Sequence, residues 1–201
     1  MNTKGKRLEL QLRDGSPVAA RPLGPADRKQ IAEGYRRLSP DSRYQRFWVH
    51  TGEMIGDEML NRLLLDTDQV NHAVWAVVDP TREYPGIGAA SYWRSKDKPL
   101  EAEFSATVLD DDQRRGVGTL LLSILWLNAY ANGIERFVSY VIPENRSAIR
   151  WLVDTGAEGE WDGYKVIFRT DLTDPSKLPL TPAGGDLAGR LSELSPHFLE
   201  G

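Results

Sequence analysis

One segment constrains the fold more than any other. After Gly116, the residues Val117, Leu120, Leu121, Ile124, Leu125 and Asn128 recur at steps of three and four, and apolar residues fill much of the rest. A helix that is apolar on most of its sides must be covered by more than one layer. Immediately upstream, residues 100–109 alternate. Ala102, Phe104, Ala106 and Val108 share one face, and Glu101, Glu103, Ser105 and Thr107 share the other, the period of a half-buried strand. A strand, a glycine turn and an enclosed helix therefore form the centre, and the remaining elements must wrap it.

Those elements can be read in order. Val18-Ala19-Ala20-Arg21-Pro22-Leu23 suits a short strand ended by Pro22. Pro25 suits a first helical turn, with Ile31, Tyr35 and Leu38 following at helical spacing. Ser39 reads as the cap and Pro40 as the first position of a second helix, which puts Tyr44, Phe47 and Trp48 on one face. A third helix covers 57–65. Strands are predicted over 71–79, 86–94, 136–142 and 164–172, and a helix over 145–155. Asn132-Gly133 stops the central helix. The layout predicts an α/β (α+β) fold, a mixed sheet with helices on its faces, over residues 17–172. Residues 1–16 read as a flexible segment or an edge strand. Residues 173–201 form a C-terminal extension in which 186–199 is a short helix, serving as a packing arm or a homodimer contact.

Composition narrows the functional classes. In 201 residues there is no cysteine, which removes disulfides, thiolate nucleophiles and Cys-ligated zinc, and fits a reducing, cytoplasmic setting. No run approaches the roughly 18 apolar residues of a membrane span, and the first residues lack the apolar stretch of a secretory signal. The net charge of -4 argues against nucleic acid, whose binders neutralise phosphate with a basic surplus, and suits a cationic partner such as an amine. His50, His72 and His197 are scattered without metal-ligand spacing; no metal is expected.

The chemistry concentrates at the glycine turn. The first amides of a helix lack internal partners and sit at the positive end of its dipole. Glycines let a ligand approach the backbone, so the turn suits phosphate or pyrophosphate, and Arg114 and Arg115 add charge. A P-loop would need Gly-Lys-Ser or Gly-Lys-Thr, and a dinucleotide fingerprint would need a third glycine where Leu121 stands. No Gly-x-Ser-x-Gly elbow is present either.

The run Gln113-Arg114-Arg115-Gly116-Val117-Gly118 resembles the acyl-CoA motif of the GNAT N-acetyltransferases, Gln/Arg-x-x-Gly-x-Gly/Ala. The preceding Ala106-Thr107-Val108-Leu109-Asp110, and the later Pro143-Glu144-Asn145, Ala148-Ile149 and Asp154-Thr155-Gly156-Ala157, follow that family's order, with Ala157 where Phe is common. The resemblance covers most of the chain. It implies a GNAT fold with its sheet splayed at the acyl-CoA site, and acetyl-CoA as cofactor. The amides from Arg114 to Thr119 would hold the pyrophosphate. The backbone around Val108 would pair with the pantetheine, and Asn145 would face the cofactor arm. The Arg115 side chain would reach a phosphate on the 3' side.

Two further likenesses point to bacterial protein-lysine acetyltransferases. Ala102-Glu103-Phe104-Ser105-Ala106-Thr107-Val108 resembles a strand whose glutamate is the general base there, which implies that role for Glu103, with Glu101 as substitute. Leu38-Ser39-Pro40-Asp41-Ser42-Arg43-Tyr44-Gln45-Arg46-Phe47 resembles the helix over the acceptor site, so Tyr44, Phe47 and Trp48 would wall the pocket. Many family members place an acidic tyrosine seven residues after the asparagine. Leu152 stands there, leaving Tyr140 and Tyr164 as other donors. The regulatory domain that such relatives often carry is not expected in this length. The acceptor implied is a primary amine, on a small molecule or a protein lysine. The alternatives are a non-catalytic CoA-binding or interaction module, or an antibiotic or polyamine acetyltransferase.

Overall fold

The computed structural model describes residues 6–48 and 52–199. Eight strands form one sheet: β1 (Leu8–Gln11), β2 (Pro17–Pro22), β3 (His72–Val78), β4 (Gly86–Arg94), β5 (Glu101–Val108), β6 (Arg136–Val141), β7 (Glu158–Trp161) and β8 (Val166–Asp171). Their order is β1-β2-β3-β4-β5-β6-β8-β7. Every neighbouring pair is antiparallel except β5 with β6. The helices are α1 (Arg28–Arg36), α2 (Pro40–Phe47), α3 (Asp57–Leu64), α4 (Val117–Ala131), α5 (Arg146–Asp154) and α6 (Pro182–Leu199).

The parallel pair follows from α4, which carries the chain from the end of β5 back to the start of β6, as a parallel connection requires. Val117 and Thr119 through Ala129 are all buried. One flank of α4 rests on β3, β4 and β5, and α6 covers another. Leu187, Leu191, Leu194 and Phe198 of α6 enter the same core as Trp75, Tyr92, Phe104 and Leu121. Each such fully buried side chain contributes about 1.5–3 kcal/mol. The C-terminal helix thus packs within its own chain and begins at Pro182, four residues earlier than the sequence reading. On the opposite face, α1 and α3 pack on Leu23, Val74 and Ala76.

The close seating of α4 depends on Gly88. A Cβ there would lie 2.9 Å from Val117 Cγ1 and 3.1 Å from Thr107 O. Neither the helix nor the strand can retreat without opening the core. Gly88→Val is therefore expected to cost about 1–3 kcal/mol of stability by overpacking, read from urea unfolding midpoints; an unchanged midpoint would show that α4 is not clamped here.

Two differences from the sequence reading have local causes. Strand β7 was not anticipated: all four of its residues are exposed and Gly159 interrupts any alternation, so only pairing with β8 defines it. Helix α2 ends at Phe47, and Trp48 turns off it in the left-handed region at φ 60°. Tyr44, Phe47 and Trp48 therefore do not present one face.

Candidate active site

The site begins where β5 and β6 part. Their pairing covers only Glu101 with Arg136, Ala102 with Phe137, and Glu103 with Val138. One further contact, Ser139 Oγ donating to Phe104 O at 3.1 Å, closes the fork. Beyond it lies a cleft of about 590 Å³, lined by Phe104 to Val108 on one side and Ser139 to Val141 on the other. Gly116, Gly118 and Thr119 of the glycine turn, and Asn145, Ala148 and Trp151 of α5, complete its wide end.

At that end α4 starts without a side-chain cap, from Gly116 at φ 92°. Its ladder begins with Leu120 N–H donating to Gly116 O at 2.9 Å, so the amides before Leu120 have no helical partner. Arg114 also has positive φ, 63°, and is exposed. Arg13, Arg46, Arg114 and Arg150 all line the cleft, with Asp154 as the one acidic lining residue among the described residues. An acidic chain has thus gathered positive charge at one groove.

The loop is held by ion pairs. Asp112, fully buried, accepts from Arg82 at 2.7 and 2.8 Å and from Arg115 Nη1 at 2.6 Å. Arg115 also donates to Asp14 and Ser16, both at 2.9 Å. Its side chain therefore ties the loop to the β1–β2 turn and is turned away from the phosphate role that the resemblance implied. Gln113 is exposed, and its amide makes only a long 3.5 Å contact with Val108 O. Asn145 caps α5, its Oδ1 accepting from Ala148 N–H at 3.0 Å, and lines the cleft. Trp151 donates from Nε1 to Thr119 Oγ1 at 3.2 Å, which joins α5 to the start of α4. Leu152 is buried with Val141, Ala157 and Phe168.

Helix α2 is docked by its own N-terminus. Ser39 caps it, its Oγ accepting from Ser42 N–H at 3.1 Å. Asp110 then accepts from Ser39 N–H, Ser39 Oγ and Ser42 Oγ at 2.7–3.0 Å. Burial works against the Asp110 charge, but these donors hold its carboxyl below the usual range. So anchored, α2 lays Arg46 over the sheet, where Nη2 donates to Ser105 Oγ at 2.8 Å. Burial pushes the Arg46 guanidinium down, and the charge of Glu103 opposes that shift. Glu103 itself is exposed, on the last paired residue before the fork. Glu101 is engaged by Arg136 at 3.0 Å and Lys98 at 3.6 Å.

Behind Arg46, Ser105 and Thr107 a second, apolar cavity of about 150 Å³ lies under α1, α2 and α3. Phe47 lines it and packs on Tyr35 with ring centroids 5.4 Å apart. Trp48 instead lines the cleft, 6.3 Å from the ring of Tyr164. Tyr44 is half-buried on α2 and lies among neither set of described lining residues. The structure thus gathers Val108, Gln113, Arg114, Gly116, Gly118, Thr119, Asn145 and Trp48 around the cleft; Glu103 stands one residue before Phe104, the first lining residue of β5, and none of Glu103, Phe47 and Tyr44 is among the cleft's described lining residues. The structure adds Arg13 and Arg46, and it puts Tyr140, one of the two tyrosines considered as donors, on the cleft wall. Arg13 sits in a polar stretch with no pattern to mark it. Arg46 was visible only as one more residue of α2.

His72 is buried and stacked on Trp93 with centroids 3.4 Å apart; burial pushes its pKa down to about 4. His197 is exposed on α6, and His50 lies outside the described residues. Among the described residues no three His, Asp or Glu side chains gather as a metal site, and no helix is long and apolar enough to cross a membrane.

Comparison with known proteins agrees with this geometry. No family model matches the sequence. The chain is 29% identical over 176 residues to the acetyltransferase Pat of Mycolicibacterium smegmatis, covering 87% of this chain and 52% of that protein. It spans about half the length of this curated relative. The GNAT domain of S. lividans PAT superposes with a TM-score of 0.75 at 26% identity, covering 82% of this chain and 96% of that one. An acetyltransferase from Salmonella typhimurium, solved with its cofactor acetyl-CoA, shares the fold with a TM-score of 0.56 at 20% identity, covering 78% and 95%. The chain has the GNAT fold. Within that class it resembles the bacterial protein acetyltransferases.

Proposed function

We propose that this chain transfers an acetyl group from acetyl-CoA to a primary amine, with a protein lysine as the favoured acceptor and Glu103 as general base. The observation that carries the reading is the fork between β5 and β6, with the uncapped start of α4 at its wide end. The residues suit the donor. The free amides before Leu120, with Arg13, Arg114 and Arg150, answer the pyrophosphate and ribose phosphate. The open edge of β5 near Val108 answers the amides of the pantetheine arm. Bound acetyl-CoA supplies an activated acyl group.

The chain's own residues must then remove a proton. A lysine amine has a pKa near about 10.4 and attacks only when neutral. Glu103 is open to solvent on the face that α2 covers, so it can accept the proton directly or through one water. Tyr140, on β6 at the cleft wall, is a hydroxyl that could return a proton to the departing thiolate. A thiol pKa around 8.5 makes strong acid assistance unnecessary, which accommodates Leu152.

The test is calorimetry with CoA and acetyl-CoA, followed by thiol release against a panel of lysine peptides, polyamines and aminoglycosides. Thiol release matched by acylated lysine peptide is expected. Tight CoA binding with no release on any amine would favour a non-catalytic module, and release on the small amines alone would move the acceptor class.

A further inference from the structure

Tyr140 and Lys165 stand where an acceptor would enter. Aligned strand residues share a face, so Glu103, Val138 and, two residues along β6, Tyr140 project from the same side of the sheet. Trp48 comes to this side from the end of α2. Lys165, just before β8, places its Nζ 4.7 Å from the centroid of Tyr140 and 5.9 Å from that of Trp48. Both rings line the cleft. The residue is held there by a tight turn: Asp162 N–H donates to Lys165 O at 3.1 Å, and Asp162 Oδ1 accepts from the amides of Tyr164 and Lys165 at 3.0 and 2.8 Å. Gly163, at φ 95°, makes the turn possible. The ammonium is also 3.7 Å from Asp162 Oδ2. A lysine side chain only 28% exposed, between two rings of the cleft, is unusual for a residue that normally extends into water.

We infer that Lys165 is itself an acceptor: the chain acylates its own Lys165 when an acyl-CoA thioester fills the cleft. The inference rests on the acyl-donor reading above. Were a donor held with its phosphates at Gly116, the fork at Phe104 and Ser139 would be the other end of the cleft it occupies, one residue from Tyr140. In the step, Lys165 loses one proton to Glu103 or to water, and its nitrogen forms an amide bond to the thioester carbonyl carbon. The carbon–sulfur bond breaks, and the thiolate leaves and is protonated. The balance is acyl-S-CoA plus Lys-NH3+ giving acyl-NH-Lys plus CoA-SH and one proton. The acylated side chain loses the charge that both rings and Asp162 hold.

The experiment incubates the full chain with acetyl-CoA and follows each lysine by peptide mass spectrometry at several protein concentrations, with CoA affinity measured on the same preparation. Lys165 is expected to react at least about tenfold faster than exposed Lys29, Lys96 and Lys177, because it is held at the site. Its rate should saturate in acetyl-CoA and be independent of protein concentration. Asp162→Ala, at a residue that holds the turn and is not among the described cleft-lining residues, should slow labelling of Lys165 with CoA affinity retained. Bound CoA with Lys165 labelled no faster than the exposed lysines, or at a rate that rises with protein concentration, overturns self-acylation alone. Absence of CoA binding overturns the donor reading and this inference with it.

Discussion

Glu103→Gln is expected to lower kcat/KM for amine acetylation by about 100- to 10,000-fold, the range that a positioned general base supplies, while CoA affinity stays within about twofold. Glutamine keeps the size and polarity of the side chain and removes the proton acceptor. The affinity should hold because Glu103 lies on the face covered by α2, whereas the phosphate end is built by the α4 turn some five residues along β5. Steady-state rates and CoA titration on one preparation check both halves. Normal turnover would remove Glu103 from the mechanism. Glu101 would be a poor replacement, since Arg136 and Lys98 already engage it. Loss of CoA affinity in step with rate would instead mean that the variant had disturbed the fork.

What the sequence disclosed follows from which interactions are local. The alternation of β5 and the enclosed pattern of α4 each need only their own residues, so both elements and the turn between them could be read directly. The cap Ser39 works within three residues and was equally legible; Asn145 marked the start of α5 in the sequence, and the structure shows it capping that helix. What stayed hidden depends on chain segments meeting. Asp110 anchors α2 across 71 positions, and Arg115 reaches back to Asp14 across 101. A basic residue beside a phosphate-friendly turn therefore read as a ligand, although its side chain is spent on neighbours. Trp48 was placed on a helical face because nothing in α2 announces its left-handed end. Lys165 became noticeable only when β7, a strand without apolar pattern, brought the hairpin turn to the cleft.

Removing the carboxylate of Asp112 is expected to have the largest effect on stability among substitutions near the cleft. Its side chain is fully buried, and it joins three turns: Arg82 from the β3–β4 connection, Arg115 from the turn itself, and through Arg115 the Asp14 and Ser16 of the β1–β2 turn. Asp112→Ala leaves two guanidinium groups converging on a site that no longer holds charge. Breaking a buried pair from one side costs about 3–5 kcal/mol. Here the lower end applies, because the Arg82 and Arg115 side chains are 32% and 24% exposed and water can partly take over. In a chain of this size about 3 kcal/mol corresponds to a fall in Tm of roughly 6–12 °C. The same loop carries the free amides of α4, so CoA affinity should weaken together with Tm. Arg114→Ala separates the two effects. Arg114 is exposed, and among the described residues no ion pair involves it, so its loss should weaken CoA at nearly constant Tm. Thermal unfolding and calorimetry on both variants decide the matter. An Asp112→Ala protein with unchanged Tm would mean that the turn keeps its shape without the buried carboxylate, and that α4 packing alone positions the amides.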